Sequence, residues 1–254
     1  MDQNRVHKNS LVEIWNLRRL VRLGQQAPVM LFGLMVLLAF PADAQRRSSA
    51  NAGHVAGAFD YYQLVLSWSP THCEDNSRGR NDTQCGPRRA RAYALVLHGI
   101  WPQYEQGYPE NCRTRARPFV PNRVIDGMMD VMPSRGLIIH QYRKHGTCSG
   151  YGPADYFKAS RLLYQRIAIP PRYRNPKAAQ FVTPGELVRD FTAVNPKLQP
   201  AMISVICKRG NKNQLREVRV CFDKKGLFRA CSGRATRHQC ARKKMYVPPI
   251  RLGR

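Results

Sequence analysis

Nine consecutive residues hold most of the chemistry this chain could perform: His140-Gln141-Tyr142-Arg143-Lys144-His145-Gly146-Thr147-Cys148. Two imidazoles and an ammonium fall within one short segment. A third imidazole, His98, sits upstream in Leu97-His98-Gly99-Ile100-Trp101-Pro102-Gln103. Histidine gives and takes protons near neutral pH, lysine brings a fixed positive charge, and Trp101 offers a flat face for stacking. This set suits metal-free cleavage of a phosphodiester next to an aromatic base. RNA carries its own nucleophile, the 2′-hydroxyl. One imidazole removes that proton while another protonates the departing 5′ oxygen, and a cation beside the phosphate stabilises the charge that builds on its oxygens. DNA lacks the hydroxyl and is not expected to be cut.

Other chemistries fit less well. A zinc protease helix needs two histidines four apart with a glutamate between them, whereas His140 and His145 are five apart with no acid between. Acidic clusters for magnesium or calcium are missing, because the 16 Asp and Glu are scattered. There is no Gly-x-Ser-x-Gly elbow. No cysteine pair is spaced C-x-x-C, which argues against a zinc ribbon or a thioredoxin-like site. No cofactor and no metal are expected.

The elements around these residues read as follows. Tyr61–Trp68 is rich in aromatic and β-branched residues and reads as a strand that Ser69-Pro70 ends. Tyr93–Leu97 reads as a second, short buried strand that delivers His98 at its carboxyl end. Residues 104–120 look like a loop, and 121–132 like a helix opened by Pro121. If 140–145 are helical, positions 140, 141, 144 and 145 share one arc of about 140°, and the helix should stop near Gly146. Pro153–Ile167 is the clearest helix, with Tyr156, Ala159, Leu163 and Ile167 on one face and Leu162 beside it. Thr183-Pro184-Gly185-Glu186 is a capping box that starts a helix running to about Val194. Ile203–Cys207 and Leu215–Phe222 read as strands joined by a turn at Arg209-Gly210-Asn211, and Asp223-Lys224-Lys225-Gly226 as a further turn. Strands, then helices, then strands make an α+β domain with a mostly antiparallel central sheet flanked by helices.

Residues 1–44 look like an export signal. Arg5, Lys8, Arg18, Arg19 and Arg22 form a basic leader, an apolar run follows from Val29 to Phe40, and Ala42-Asp43-Ala44 resembles a cleavage site. The run is shorter than the roughly 20 residues that span a bilayer as a helix, so stable membrane insertion is not expected after cleavage. Residues 45–57 are small and polar and read as a flexible start to a single domain over 58–254. The chain has 254 residues, 42 Lys and Arg, and a net charge of +26; the leader takes five of those bases and three of the 16 acids. The remaining excess points to a polyanionic partner: nucleic acid, an anionic membrane surface or an acidic glycan. All eight cysteines follow the leader. An even count there reads as a disulfide framework made in an oxidising compartment, secreted or periplasmic, but spacing selects no pairing.

Two segments resemble a known family, the ribonuclease T-two family of secreted endoribonucleases. The family's first signature is His-Gly-Leu-Trp-Pro, and this chain has His98-Gly99-Ile100-Trp101-Pro102. Its second is His-Glu-Trp-x-Lys-His-Gly-Thr-Cys, and this chain has His140 to Cys148. Tyr62–Pro70 followed by Cys73 resembles the family's first core strand. The resemblance implies a monomeric, metal-independent enzyme acting on single-stranded RNA. It implies His98 as general acid, His145 as general base, Lys144 as stabiliser of the pentacovalent phosphate and His140 as holder of a phosphate oxygen. Trp101 would help form the base pocket. The implied disulfides are Cys112–Cys148, Cys207–Cys240 and Cys221–Cys231, leaving Cys73–Cys85. The chain departs from the pattern at Gln141, where the family has glutamate, and Gln carries no charge. If that charge raises a histidine pKa, its absence lowers the pH optimum. The competing expectation is a catalytically weak cationic protein that binds RNA or a membrane surface. Its candidate patches are Arg78, Arg80, Arg88, Arg89 and Arg91, with Arg113, Arg115 and Arg117.

Overall fold

The computed structural model describes residues 53–75, 83–86, 91–115, 117–208, 213–232, 239–241 and 243–250. The leader, residues 45–52, Arg78, Arg80, Arg88, Arg89 and the turn at 209–211 lie outside them.

Strand β1 (Tyr61–Trp68) is buried along all eight residues. It lies inside a four-stranded sheet of order β2-β1-β5-β4, with β2 at Leu95–Gln103, β4 at Ile203–Cys207 and β5 at Leu215–Phe222. Every pairing is antiparallel. Side chains alternate across a strand, and here that alternation separates core from chemistry. Tyr62, Leu64, Leu66 and Trp68 pack with Leu95, Leu97, Ile100, Val218, Val220 and Phe222 in the main core. Val65 and Ser67 face the other way, opposite Arg219 and Glu217 of β5. One face of the sheet is thus apolar, and the other presents buried polar groups.

Strand β2 is longer than its sequence suggests. It continues through His98, Gly99, Trp101 and Pro102 to Gln103, so His98 lies in mid-strand and not at a carboxyl end. Glycine and proline both weaken a central strand, but β2 is an edge of its sheet, where proline is tolerated.

Helix α1 (Ser69–Asp75) begins directly where β1 ends. The helix expected over 121–132 is helical only at α2 (Asn122–Asp126), and Pro121 caps it from outside. Helix α3 (Arg135–Lys144) is capped by Ser134, whose hydroxyl accepts from the Leu137 N–H at 3.3 Å. Helix α4 (Pro153–Gln165) buries Tyr156, Phe157, Ser160 and Leu163, whereas Leu162, expected beside this face, is exposed. Helix α5 (Pro184–Val194) starts from the expected capping box: Thr183 Oγ1 accepts from the Glu186 N–H at 3.1 Å and Glu186 accepts from the Thr183 N–H at 2.6 Å. A second sheet pairs β3 (Gln180–Val182) with β6 (Met245–Val247). Four disulfides staple the domain: Cys73–Cys85, Cys112–Cys148, Cys207–Cys240 and Cys221–Cys231.

Candidate active site

His98 owes its position to a β-bulge. Val65 stands opposite Gly99 and Leu66 opposite Leu97, so His98 is the extra residue on β2. A bulge leaves one residue out of the ladder and re-aims its side chain. Ser67 then fixes the ring, with its Oγ 2.9 Å from His98 Nδ1, which leaves Nε2 as the nitrogen for chemistry. Burial pulls the His98 pKa down to about 4. The Glu217 carboxylate opposes that shift, and His72, Arg219 and Arg216 add to it. Glu217 is itself buried and held by Arg219 at 2.6 Å.

His145 arrives from the other segment. Helix α3 ends on it, and its N–H donates to the Gln141 carbonyl at 2.9 Å. The chain then tightens into a 3₁₀ turn at Gly146–Ser149. Gly146 is required there, because a Cβ would overlap the Tyr142 ring. His145 is only 4% exposed, and its Nδ1 has no hydrogen-bond partner among the described residues. Burial lowers its pKa to about 3, helped by the positive charge of Lys144 and by His98 and His140.

Trp101 joins the two histidines. Its ring stacks on His145 at 4.8 Å and 20°, and meets His98 edge-on at 5.8 Å and 81°. The Arg219 guanidinium lies 5.0 Å from the indole centroid, a cation–π distance. Trp101 Nε1 donates to Gln141 Oε1 at 2.8 Å. Gln141 is buried against Gly99, where a Cβ would overlap its carboxamide oxygen. A glycine after the bulged histidine therefore makes room for the helix that brings the second histidine.

His140, Gln141 and Lys144 do lie within α3, and burial divides the arc they share. Gln141 and Tyr142 are buried, His140 is exposed, and His145 lies beyond the last helical turn. The reason is packing: the face of α3 toward β2 must hold Gln141 over Gly99, which turns His140 outward. Lys144 is partly exposed, pairs with Glu110 at 3.2 Å, and accepts the Asn111 N–H on its carbonyl at 2.8 Å. The Cys112–Cys148 bridge ties the same loop to the end of this segment. His98, Trp101, Gln141 and His145 thus form one contact cluster, with Lys144 and His140 within electrostatic reach of His145.

Sequence reasoning missed Ser67, Glu217 and Arg219. The signal for Ser67 was present in the alternation of β1, which puts it on the polar face. Glu217 and Arg219 sit at the same alternation on β5, but only the strand pairing shows that they face His98 and Trp101. Among the described residues, no group of three or more His, Cys, Asp or Glu is placed to hold a metal ion.

Residues 59–231 match the family model described as the Ribonuclease T2 family. A ribonuclease of Aeromonas hydrophila is 39% identical over 140 residues, which are 55% of this chain and 60% of that protein. A probable ribonuclease of Haemophilus influenzae is 27% identical over 187 residues, which are 69% of this chain and 62% of that protein. The matched part is less than two thirds of the length of either relative. Among solved structures, RNase NT in complex with 5′-AMP superposes with a TM-score of 0.58 at 22% identity, covering 75% of this chain and 98% of that one. At that identity the likeness speaks to the fold.

Proposed function

Because this chain belongs to the ribonuclease T2 family, we propose that it is a metal-independent endoribonuclease acting on single-stranded RNA. Its reaction is attack of the 2′-hydroxyl on the adjacent phosphorus. The 5′-oxygen bond breaks, a 2′,3′-cyclic phosphate forms, and water then opens it to a 3′-phosphate. One observation carries this reading: imidazoles from β2 and from the end of α3 rest against the same indole.

The electrostatics support a division of labour. His98 has a carboxylate, Glu217, among its neighbours, and that charge favours its protonated form, so it serves as the general acid that protonates the departing 5′ oxygen. Lys144, His98 and His140 all act on His145 in favour of its neutral form, so it serves as the general base for the 2′-hydroxyl. Lys144 stabilises charge on the pentacovalent phosphate, and His140 holds one of its oxygens. Trp101 keeps both rings in register and walls the base pocket, and Gln141 orients Trp101. We place the protein in an oxidising compartment, periplasmic or outside the cell, working as a monomer. The four disulfides support that placement.

The test is incubation of the purified chain with homopolymeric RNAs in excess EDTA, followed by end-group analysis. Cyclic phosphate followed by 3′-phosphate ends are expected. His98→Ala and His145→Ala should each lower turnover by about 10²–10⁴ while leaving RNA binding largely intact. The net charge of +26 favours a second reading, a weakly catalytic cationic binder. That reading predicts salt-sensitive binding without new ends.

A further inference from the structure

The loop between β2 and α2 forms a cleft that the catalytic reading does not use. Its volume is about 390 Å³, and Arg113 and Arg117 of the loop line it together with Arg143 of α3. Among the described residues, no carboxylate lines it. None of the three guanidiniums forms an ion pair among the described residues, and the nearby Glu110 is committed to Lys144. Three like charges gathered without a counter-charge repel one another, and a bound anion relieves that repulsion. Guanidinium is the side chain best matched to phosphate, because its planar fork bonds two oxygens at once.

The cleft is built into the same framework as the candidate active site. Asn111 holds a left-handed φ of 52° and donates its N–H to the Lys144 carbonyl. Cys112 is bridged to Cys148. Arg143 Nε donates to the Pro118 carbonyl at 3.4 Å, which clamps the loop to α3. Arg143 also immediately precedes Lys144, the group assigned to the scissile phosphate. Aromatic surface accompanies the charge. Phe119, next to the cleft-lining Pro118, is 70% exposed, and Tyr108 on the same loop is 52% exposed. Arginine beside a free aromatic face is how proteins hold single-stranded RNA, by phosphate contact and base stacking.

We infer that this cleft is a second phosphate subsite, in which Arg113, Arg117 and Arg143 hold a backbone phosphate of the same RNA strand away from the scissile one, with a neighbouring base on Phe119. The inference rests on the ribonuclease reading and predicts that substrates longer than a dinucleotide are preferred.

The test compares kcat/KM on a dinucleoside monophosphate and on a hexanucleotide, for the native chain, the Arg113→Ser/Arg117→Ser double variant and Phe119→Ser. The double variant should lose about tenfold on the hexanucleotide, the scale of one charge-assisted contact, with the dinucleotide rate unchanged. That unchanged rate doubles as the folding control. Phe119→Ser should lose less, and only on the hexanucleotide. Equal losses on both substrates, or no loss on the longer one, would overturn the subsite. A second arm measures binding of a 2′-O-methyl hexanucleotide, which cannot be cut, against salt. Weaker binding and a shallower salt slope are expected for the double variant. If the native chain cuts neither substrate, the ribonuclease reading fails, and the binding arm alone decides the cleft. Loss of binding to phosphatidylserine vesicles with hexanucleotide cleavage and binding unchanged would assign the cleft to a membrane surface and overturn the proposal.

Discussion

Two imidazoles can divide acid and base work only when one is neutral and the other charged. Burial holds His98 at about 4 and His145 at about 3. Near pH 7 both rings are therefore neutral: the base is ready, and the protonated acid is the scarce form. As pH falls toward about 4, His98 gains its proton; toward about 3, His145 gains one and the base is lost. A plot of kcat/KM against pH for a dinucleoside phosphate should be a bell with its maximum on the acid side of neutrality. A maximum at or above pH 7 would contradict this pairing of rings. A bound phosphate adds negative charge beside both imidazoles and raises their pKa values, so kcat should peak at a higher pH than kcat/KM. Glu217 is the carboxylate that favours the protonated form of His98. Glu217→Gln removes it and leaves Arg219 unopposed, which moves the high-pH limb of the bell down. Activity at pH 6 then falls by roughly tenfold for each unit of that movement, while a structural role alone would leave the limb in place. Gln141→Glu acts in the opposite sense. It still accepts from Trp101, adds a negative charge inside the cluster, and should carry the bell to higher pH with greater turnover near neutrality.

Elements were legible to the degree that their own residues decide them. Strand β1 is buried on both faces, so its run of aromatic and β-branched residues identifies it from end to end. Helix α5 carries its start signal in Thr183 and Glu186, a local device that needs no tertiary information. Strand β2 was read too short because Gly99 and Pro102 look like strand breakers. Its true length depends on being at a sheet edge and on a bulge opposite Val65 and Leu66, neither of which is written in β2 itself. The burial of α3 is hidden for the same reason: period alone cannot say that Gln141 packs on a glycine of another element. That contact is testable. Gly99→Ala drives a methyl group into the Gln141 carboxamide and should cost about 1–3 kcal/mol, the range for overpacking a filled site. Urea unfolding measures it. The Gly99→Ala/Gln141→Ala pair should recover part of the stability but not the activity, since Trp101 has lost its acceptor. If the two losses simply add, the two residues are not coupled as the structure places them.

For the molecule as a whole, the cysteines were legible as a framework, but their partners were not. An even count behind an export-like leader implies bridges, whereas pairing depends on which loops the fold brings together, and it was the family resemblance that supplied it. The bridges are not equivalent. Cys73–Cys85 closes a separation of 12 residues and Cys221–Cys231 one of 10, whereas Cys112–Cys148 closes 36 and joins the arginine-bearing loop to the segment that carries Lys144 and His145. The entropic part of a disulfide's effect grows with the loop it closes, to about 3–4 kcal/mol at this length. The Cys112→Ala/Cys148→Ala variant should therefore lose more stability than Cys73→Ala/Cys85→Ala. It should also lose activity beyond what its unfolded fraction explains, because the Asn111–Lys144 contact is no longer held by a covalent neighbour. The measurement pairs thermal unfolding with turnover well below the transition of each variant. Equal specific activities of the two folded variants would mean that the bridge beside the site supports the fold alone, and that strand β2, the bulge and Gly99 suffice to hold the histidines together.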